Sequence, residues 1–200
     1  LRFAKNNQIR EQNDLKMTQF PSFFYLYWGY ALIVWGIGTL FAGISYQALT
    51  FELKCRNYQY CLWTSWFEII YLSLTVLSVN LMIFAQSFRY KSEEYTFLMQ
   101  LYASLNLSVY MGILIFGMII PLKILLSFEM MVIFLIPGIL LLFGIHFYRY
   151  RTLKTNIDKI FIRIWILLAI IMIIYYAFLL SGIPESLWEK GIWFNANDIL

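Results

Sequence analysis

Five long apolar stretches, separated only by short polar breaks, constrain this chain more than any other feature. About 20 apolar helical residues cross the hydrocarbon core of a bilayer, and lipid offers no partner to a bare N–H or C=O. The stretches predict spans at Phe23–Gly43, Leu62–Gln86, Tyr95–Ile120, Ser127–Tyr148 and Ile160–Ile183. They are too long, and too little alternating, for outer-membrane strands. A 200-residue chain that is 62% hydrophobic and 13% charged is not a soluble globule either. Short connections force consecutive helices to run antiparallel. The expected fold is an all-α membrane protein, an up–down transmembrane helix bundle of five spans plus the start of a sixth.

The breaks carry the charge, and short-loop Lys/Arg bias sets orientation. One side holds seven cations, Arg89, Lys91, Arg149, Arg151, Lys154, Lys159 and Arg163, against four on the other, Lys54, Arg56, Lys123 and Lys190. The N-terminal arm adds Arg2, Lys5, Arg10 and Lys16 to the first side. That side is expected to be cytoplasmic, which places the N-terminus inside a cell membrane. The compact loops suit a bacterial inner membrane. Cys55 and Cys61 then fall in a loop on the oxidising side, where a disulfide and two unpaired thiols are both open. A net charge of +4 on such a chain points to membrane lipids as partners, and nucleic-acid binding is not expected.

Residues 1–16 are polar and unpatterned, whereas Met17 leads directly into the aromatic run before the first span. The arm therefore reads as lying upstream of the true start, with residues 17–200 forming one transmembrane domain. The first apolar run is too long for a signal peptide. At the other end, Trp193 and Phe194 read as an interfacial anchor opening a sixth span that continues past Leu200.

Polar residues inside spans are costly, so their spacing is informative. Gly29, Gly36 and Gly43 recur every seventh residue in the first span and predict a smooth face for close helix packing. Ser65, Glu68, Tyr71, Thr75 and Ser78 share a face of the second span that must avoid lipid. Glu68, placed about two turns inside, is the acid expected to act as proton acceptor, ligand or substrate contact, or else to rest near the headgroups beside a tyrosine. In the third span Gln100, Ser104 and Ser108 form one line and Tyr102, Asn106 and Tyr110 another, both suited to bonding between helices. Asn80 is expected to matter little. Pro137-Gly138 should kink or open the fourth span. His146, the only histidine, is expected to snorkel to the interface, and the basic run after it to anchor the bundle beside anionic lipid heads. No phosphate loop, HExxH, nucleophile elbow or CxxC is present in the sequence.

GTLFAGISYQ, ending at Gln47, and WFNANDIL, ending at Leu200, resemble segments of a family of bacterial multi-spanning membrane proteins. That family is similar to the alkaline ceramidases and the progestin and adiponectin receptors, zinc-dependent lipid amide hydrolases of seven helices. The resemblance implies a polar site containing a segment of the form F-N-H-N-D-x-x-H, which Phe194, Asn195, Asn197 and Asp198 match. Ala196 stands where a histidine is common, Gln47 stands at the earlier histidine position, and the last histidine would fall beyond Leu200. Zinc is thus implied only with ligands past the end of this sequence, and the residues here supply no metal site of their own.

The topology built from loop charge puts Gln47, Glu68 and Asp198 at the same membrane face. The matched residues and the span-two acid together give a candidate polar site of Gln47, Glu68, Asn197 and Asp198, with a lipid or small molecule as the expected substrate. Three classes stay open: a ceramidase-like lipid hydrolase or a non-catalytic descendant, a small-molecule or proton-coupled transporter, and a non-catalytic lipid-binding or assembly protein.

Overall fold

The computed structural model describes residues 22–45, 65–90, 92–120, 122–181, 183 and 190. Among these, the regular structure is helical throughout: α1 (Ser22–Gly43), α2 (Trp66–Ser87), α3 (Glu93–Ile119), a short 3-10 helix (Lys123–Leu126), α4 (Phe128–Leu153) and α5 (Asn156–Leu180). Helices α1 to α4 are long and apolar enough to cross a bilayer. Helix α5 carries Asp158, Lys159 and Arg163 in its first turns before its apolar run begins. The chain forms two compact units, Leu1–Leu142 and Phe143–Leu200.

In the first unit, α1 and α2 pack along a seam that repeats every seven residues. Phe24, Ala31, Gly38 and Ser45 are all buried, the pattern of helices crossing at a shallow angle. Phe23 stacks on Phe88, Tyr27 lies against Phe84, the Ser78 hydroxyl donates to the Ala31 carbonyl at 2.9 Å, and Phe41 stacks on Phe67. The hydroxyls of Ser45 and Ser65 are 2.8 Å apart at the far end. Partners on α2 descend as α1 ascends, so this pair runs antiparallel. At Gly38 an added Cβ would come within 3.3 Å of Leu74 Cβ, which makes it the glycine that lets the two helices approach.

The expected glycine face is therefore corrected. An added Cβ at Gly29, Gly36 or Gly43 would meet no described atom within 4 Å. The seven-residue period was read properly and its phase was not. Gly29 and Ala31 are two positions apart, about 200° around a helix, so one row faces α2 and the other faces away.

Helix α2 is the most buried of the four candidate spans, with Leu72, Val76 and Ile83 at 0% exposure. Its other flank takes α3: the Thr96 hydroxyl donates to the Ser87 carbonyl and Gln100 Nε2 to the Ser87 hydroxyl, each at 3.1 Å. Ser104 and Ser108, expected to extend the Gln100 line between helices, are exposed instead. After α3 the chain turns sharply, and Gly117 makes room for it. A Cβ there would sit 2.9 Å from Leu125 Cβ and 3.0 Å from Leu126 Cδ2.

In the second unit the break expected across Arg149–Arg163 contracts to two residues. Helix α4 runs on to Leu153, Lys154 takes a left-handed backbone (φ 51), and Thr155 caps α5. The cap decides the outcome. The Thr155 hydroxyl accepts from the Asp158 N–H at 3.3 Å, so a new helix starts at once.

Candidate functional site

Three polar centres hold the residues with chemical potential. The first lies mid-span in the unit Leu1–Leu142. Asn80 on α2 is 3% exposed and donates from Nδ2 to the Val76 carbonyl of its own helix at 2.8 Å. That bond fixes its Oδ1 as an acceptor for Asn106 Nδ2 on α3, at 3.2 Å. The second proton of the Asn106 amide goes to the Phe134 carbonyl on α4, also at 3.2 Å. Pro137, three residues on, lies inside the continuous helix α4 and has no N–H to offer the Ile133 carbonyl, the residue just before Phe134.

The same layer contains tyrosines. Tyr102, Asn106 and Tyr110 stand one turn apart on α3, the line the spacing predicted. Tyr110 is fully buried, with its ring 5.3 Å from that of Phe134. The Tyr102 hydroxyl lies 3.9 Å from where a Cβ on Gly138 would be, and Val79 and Ile83 of α2 close on the same glycine at 3.1 Å. Both tyrosine hydroxyls are buried without a hydrogen-bond partner among the described residues. Asn80, expected to be dispensable, is instead the hub that orients Asn106.

The second centre is where α1 ends and α2 begins. Ser65, in extended conformation, caps α2 by accepting from the Glu68 N–H at 3.2 Å. Glu68 is therefore in the first helical turn rather than two turns inside, at 9% exposure. A carboxylate there meets the partial positive charge of the helix N-terminus, which gives this acid a stabilising role of its own. At the opposite end of α2, Arg89 is 2% exposed, donates to Gln86 Oε1 at 3.1 Å, and lies over the Phe24 ring at 5.2 Å.

The third centre lies in the unit Phe143–Leu200. His146 and Asp158 are both at 0% exposure, with Nδ1 2.9 Å from Oδ1, within hydrogen-bonding distance. The other carboxylate oxygen accepts from the Thr155 hydroxyl and lies 3.6 Å from Arg149 Nε. Phe161 stacks on the imidazole with centroids 4.4 Å apart. Arg149 is 5% exposed, and its Nη1 has no hydrogen-bond partner among the described residues. His146 thus does not snorkel. The two-residue turn brings Asp158 to it, and a paired imidazole is better held inside than exposed.

Of the four residues expected to form a site, Glu68 is described, while Gln47, Asn197 and Asp198 lie outside the described residues, as do Cys55 and Cys61. Among the described residues no three His, Cys, Asp or Glu side chains gather closely enough to hold a metal ion. Two centres were missed by reading spacing alone. Asp158 carried a signal, the T-x-x-D cap signature of Thr155. Asn80 carried none, since its importance comes from facing Asn106 across two helices. No protein family, curated protein or solved structure matches this chain.

Proposed function

We propose that the chain is a polytopic integral membrane protein whose helices alternate up and down across the bilayer, with the N-terminus and the Lys154–Thr155 turn on the cytoplasmic side. Helix α5 is its fifth span. The apolar run from Ile164 to Leu180 is at the short end of crossing lengths, and the cations before it belong at the interface. Within this bundle the layer around Pro137 is a binding centre for a small polar solute, which makes the protein a carrier.

The observation that carries the reading is the pair of buried hydroxyls of Tyr102 and Tyr110, both without a hydrogen-bond partner among the described residues, on the helix that packs beside Pro137 of α4. A buried polar group without a partner costs about 1–3 kcal/mol. A layer serving packing alone would satisfy its own hydroxyls, or replace them with phenylalanine. A solute passing through supplies the missing partners, and the Ile133 carbonyl, which has no donor from Pro137, adds an acceptor to the same layer.

Water must reach such a layer, so the test is chemical access. In a background with Cys55 and Cys61 replaced by serine, Tyr102→Cys and Tyr110→Cys should react with a small hydrophilic thiol reagent in intact membranes. Leu105→Cys, on the exposed face at 55% exposure, should stay unlabelled in lipid. Unreactive cysteines at both tyrosine positions would reduce the layer to dry packing and remove the carrier reading. The hydrolase reading draws its residues from Gln47, Asn197 and Asp198, and its own check is the zinc content of the purified protein, about one per chain if that ancestry holds.

A further inference from the structure

The surface of the α4–α5 hairpin has a charge balance that its interior explains. Residues 143–181 contain five cations, Arg149, Arg151, Lys154, Lys159 and Arg163, and a single acid, Asp158. Asp158 is buried and engaged by His146, Arg149 and Thr155. It therefore neutralises Arg149 inside, and residues 143–181 hold no second acid for the rim, where Arg151, Lys154, Lys159 and Arg163 are all exposed. Arg151 is propped over the Phe147 ring at 5.5 Å.

The arrangement on α5 is directional. Lys159 and Arg163 stand one turn apart on one line of the helix. Ile160, Ile164, Leu167 and Ile174 form the adjoining line and are 54%, 43%, 57% and 51% exposed. The cations sit at the start of the helix, and the apolar line continues away from them toward its far end. This is the complement of an amphiphile with a negative head and an apolar tail.

We infer that this face binds an anionic phospholipid. Lys159 and Arg163 hold the phosphodiester of the headgroup, and an acyl chain lies along Ile160, Ile164, Leu167 and Ile174. The buried His146–Asp158–Thr155 network fixes the corner, so the cations are presented at a set spacing rather than on a loose loop. The site is separate from the Pro137 layer and does not depend on that layer carrying a solute.

The test uses the full chain in a neutral detergent, titrated with phosphatidylglycerol or phosphatidylcholine, with retained lipid counted by native mass spectrometry. Phosphatidylglycerol should be retained and phosphatidylcholine should not. Lys159→Gln/Arg163→Gln should weaken phosphatidylglycerol binding about 30-fold, since two surface cations are removed, while Lys159→Arg/Arg163→Lys should keep it. Both pairs are exposed, so an unchanged melting temperature in phosphatidylcholine confirms that they fold. Equal retention of the two lipids, or full retention by the Gln pair, overturns the inference. Displacement by glycerol 1-phosphate at the same concentration would make this a free-phosphate site, and displacement by an acidic peptide would make it a protein-docking surface. Either result overturns it too.

Discussion

The polar layer around Pro137 and the charged cluster around Asp158 solve the same problem with different chemistry. The layer in the first unit is neutral: two amides, a backbone carbonyl and two hydroxyls. The cluster in the second unit is ionic, with a carboxylate held between an imidazole, a hydroxyl and a guanidinium. Mid-span, a charge would face the full cost of lipid, whereas amides lose little by trading one partner for another. Near a helix end, a charge is affordable if every lone pair is used. The neutral layer holds two hydroxyls without partners among the described residues, and the ionic cluster engages its acid with the groups of its own corner. Chemistry is thus expected in the layer, and rigidity in the cluster.

The largest expected effect tests the cluster. Asp158→Ala strands a buried His146 and a buried Arg149 and removes the acid from the first turn of α5. Breaking a buried ion pair by deleting one partner costs about 3–5 kcal/mol. The variant should melt far below the parent in detergent, or fail to accumulate. His146→Phe, which keeps the stack on Phe161, should cost less. If Asp158→Ala melted like the parent, the cluster would not be what holds the corner, and the contrast between the two centres would collapse.

Next comes the layer. Asn106→Leu removes two interhelical bonds, for a loss of about 1–2 kcal/mol by the measured scale of such bonds in membranes. Asn80→Leu removes one of these bonds. A double-mutant cycle on the pair should return a coupling of about 0.6 kcal/mol. Zero coupling in detergent unfolding curves would mean the two amides do not meet. Glu68→Gln separates fold from function in another way. It should cost only about 0.3–1 kcal/mol as a first-turn acid, and unaltered activity in that variant would remove Glu68 from any site.

The chain announced its helices and hid its contacts. Long apolar runs fixed α1 to α4 to within a few residues because backbone satisfaction in lipid leaves no other choice. The Tyr102–Asn106–Tyr110 line was legible for the same local reason, whereas α4 stays helical through Pro137-Gly138, where an opening was expected. Gln100 and Asn106 do bond to neighbouring helices as their spacing suggested, and what failed were the readings that needed the phase or position of a second element. Gly29, Gly36 and Gly43 had the right period, but a period carries no phase until the partner helix is known. His146 looked interfacial because the Thr155 cap that returns Asp158 to it lies nine residues on, past a turn. Glu68 looked deep because the span was read from hydropathy, whereas the Ser65 cap starts the helix just before it.

That missing phase gives the smallest prediction, and the baseline for the others. Gly36→Ala adds a methyl to a face where no described atom lies within 4 Å. Glycine in a helix interior is worse than alanine by about 0.8–1.0 kcal/mol, so the variant should melt at or slightly above the parent temperature. Gly38→Ala, on the seam, should gain less, because its methyl comes within 3.3 Å of Leu74 Cβ and one of the two helices must give. The ordering of these two neighbours matters more than either value. If Gly36→Ala were the more destabilising, the open row would be the packed one. The antiparallel seam through Ala31 and Ser45 would then be out of register, and the positions of Ser78, Asn80 and the whole layer on α2 would have to rotate with it.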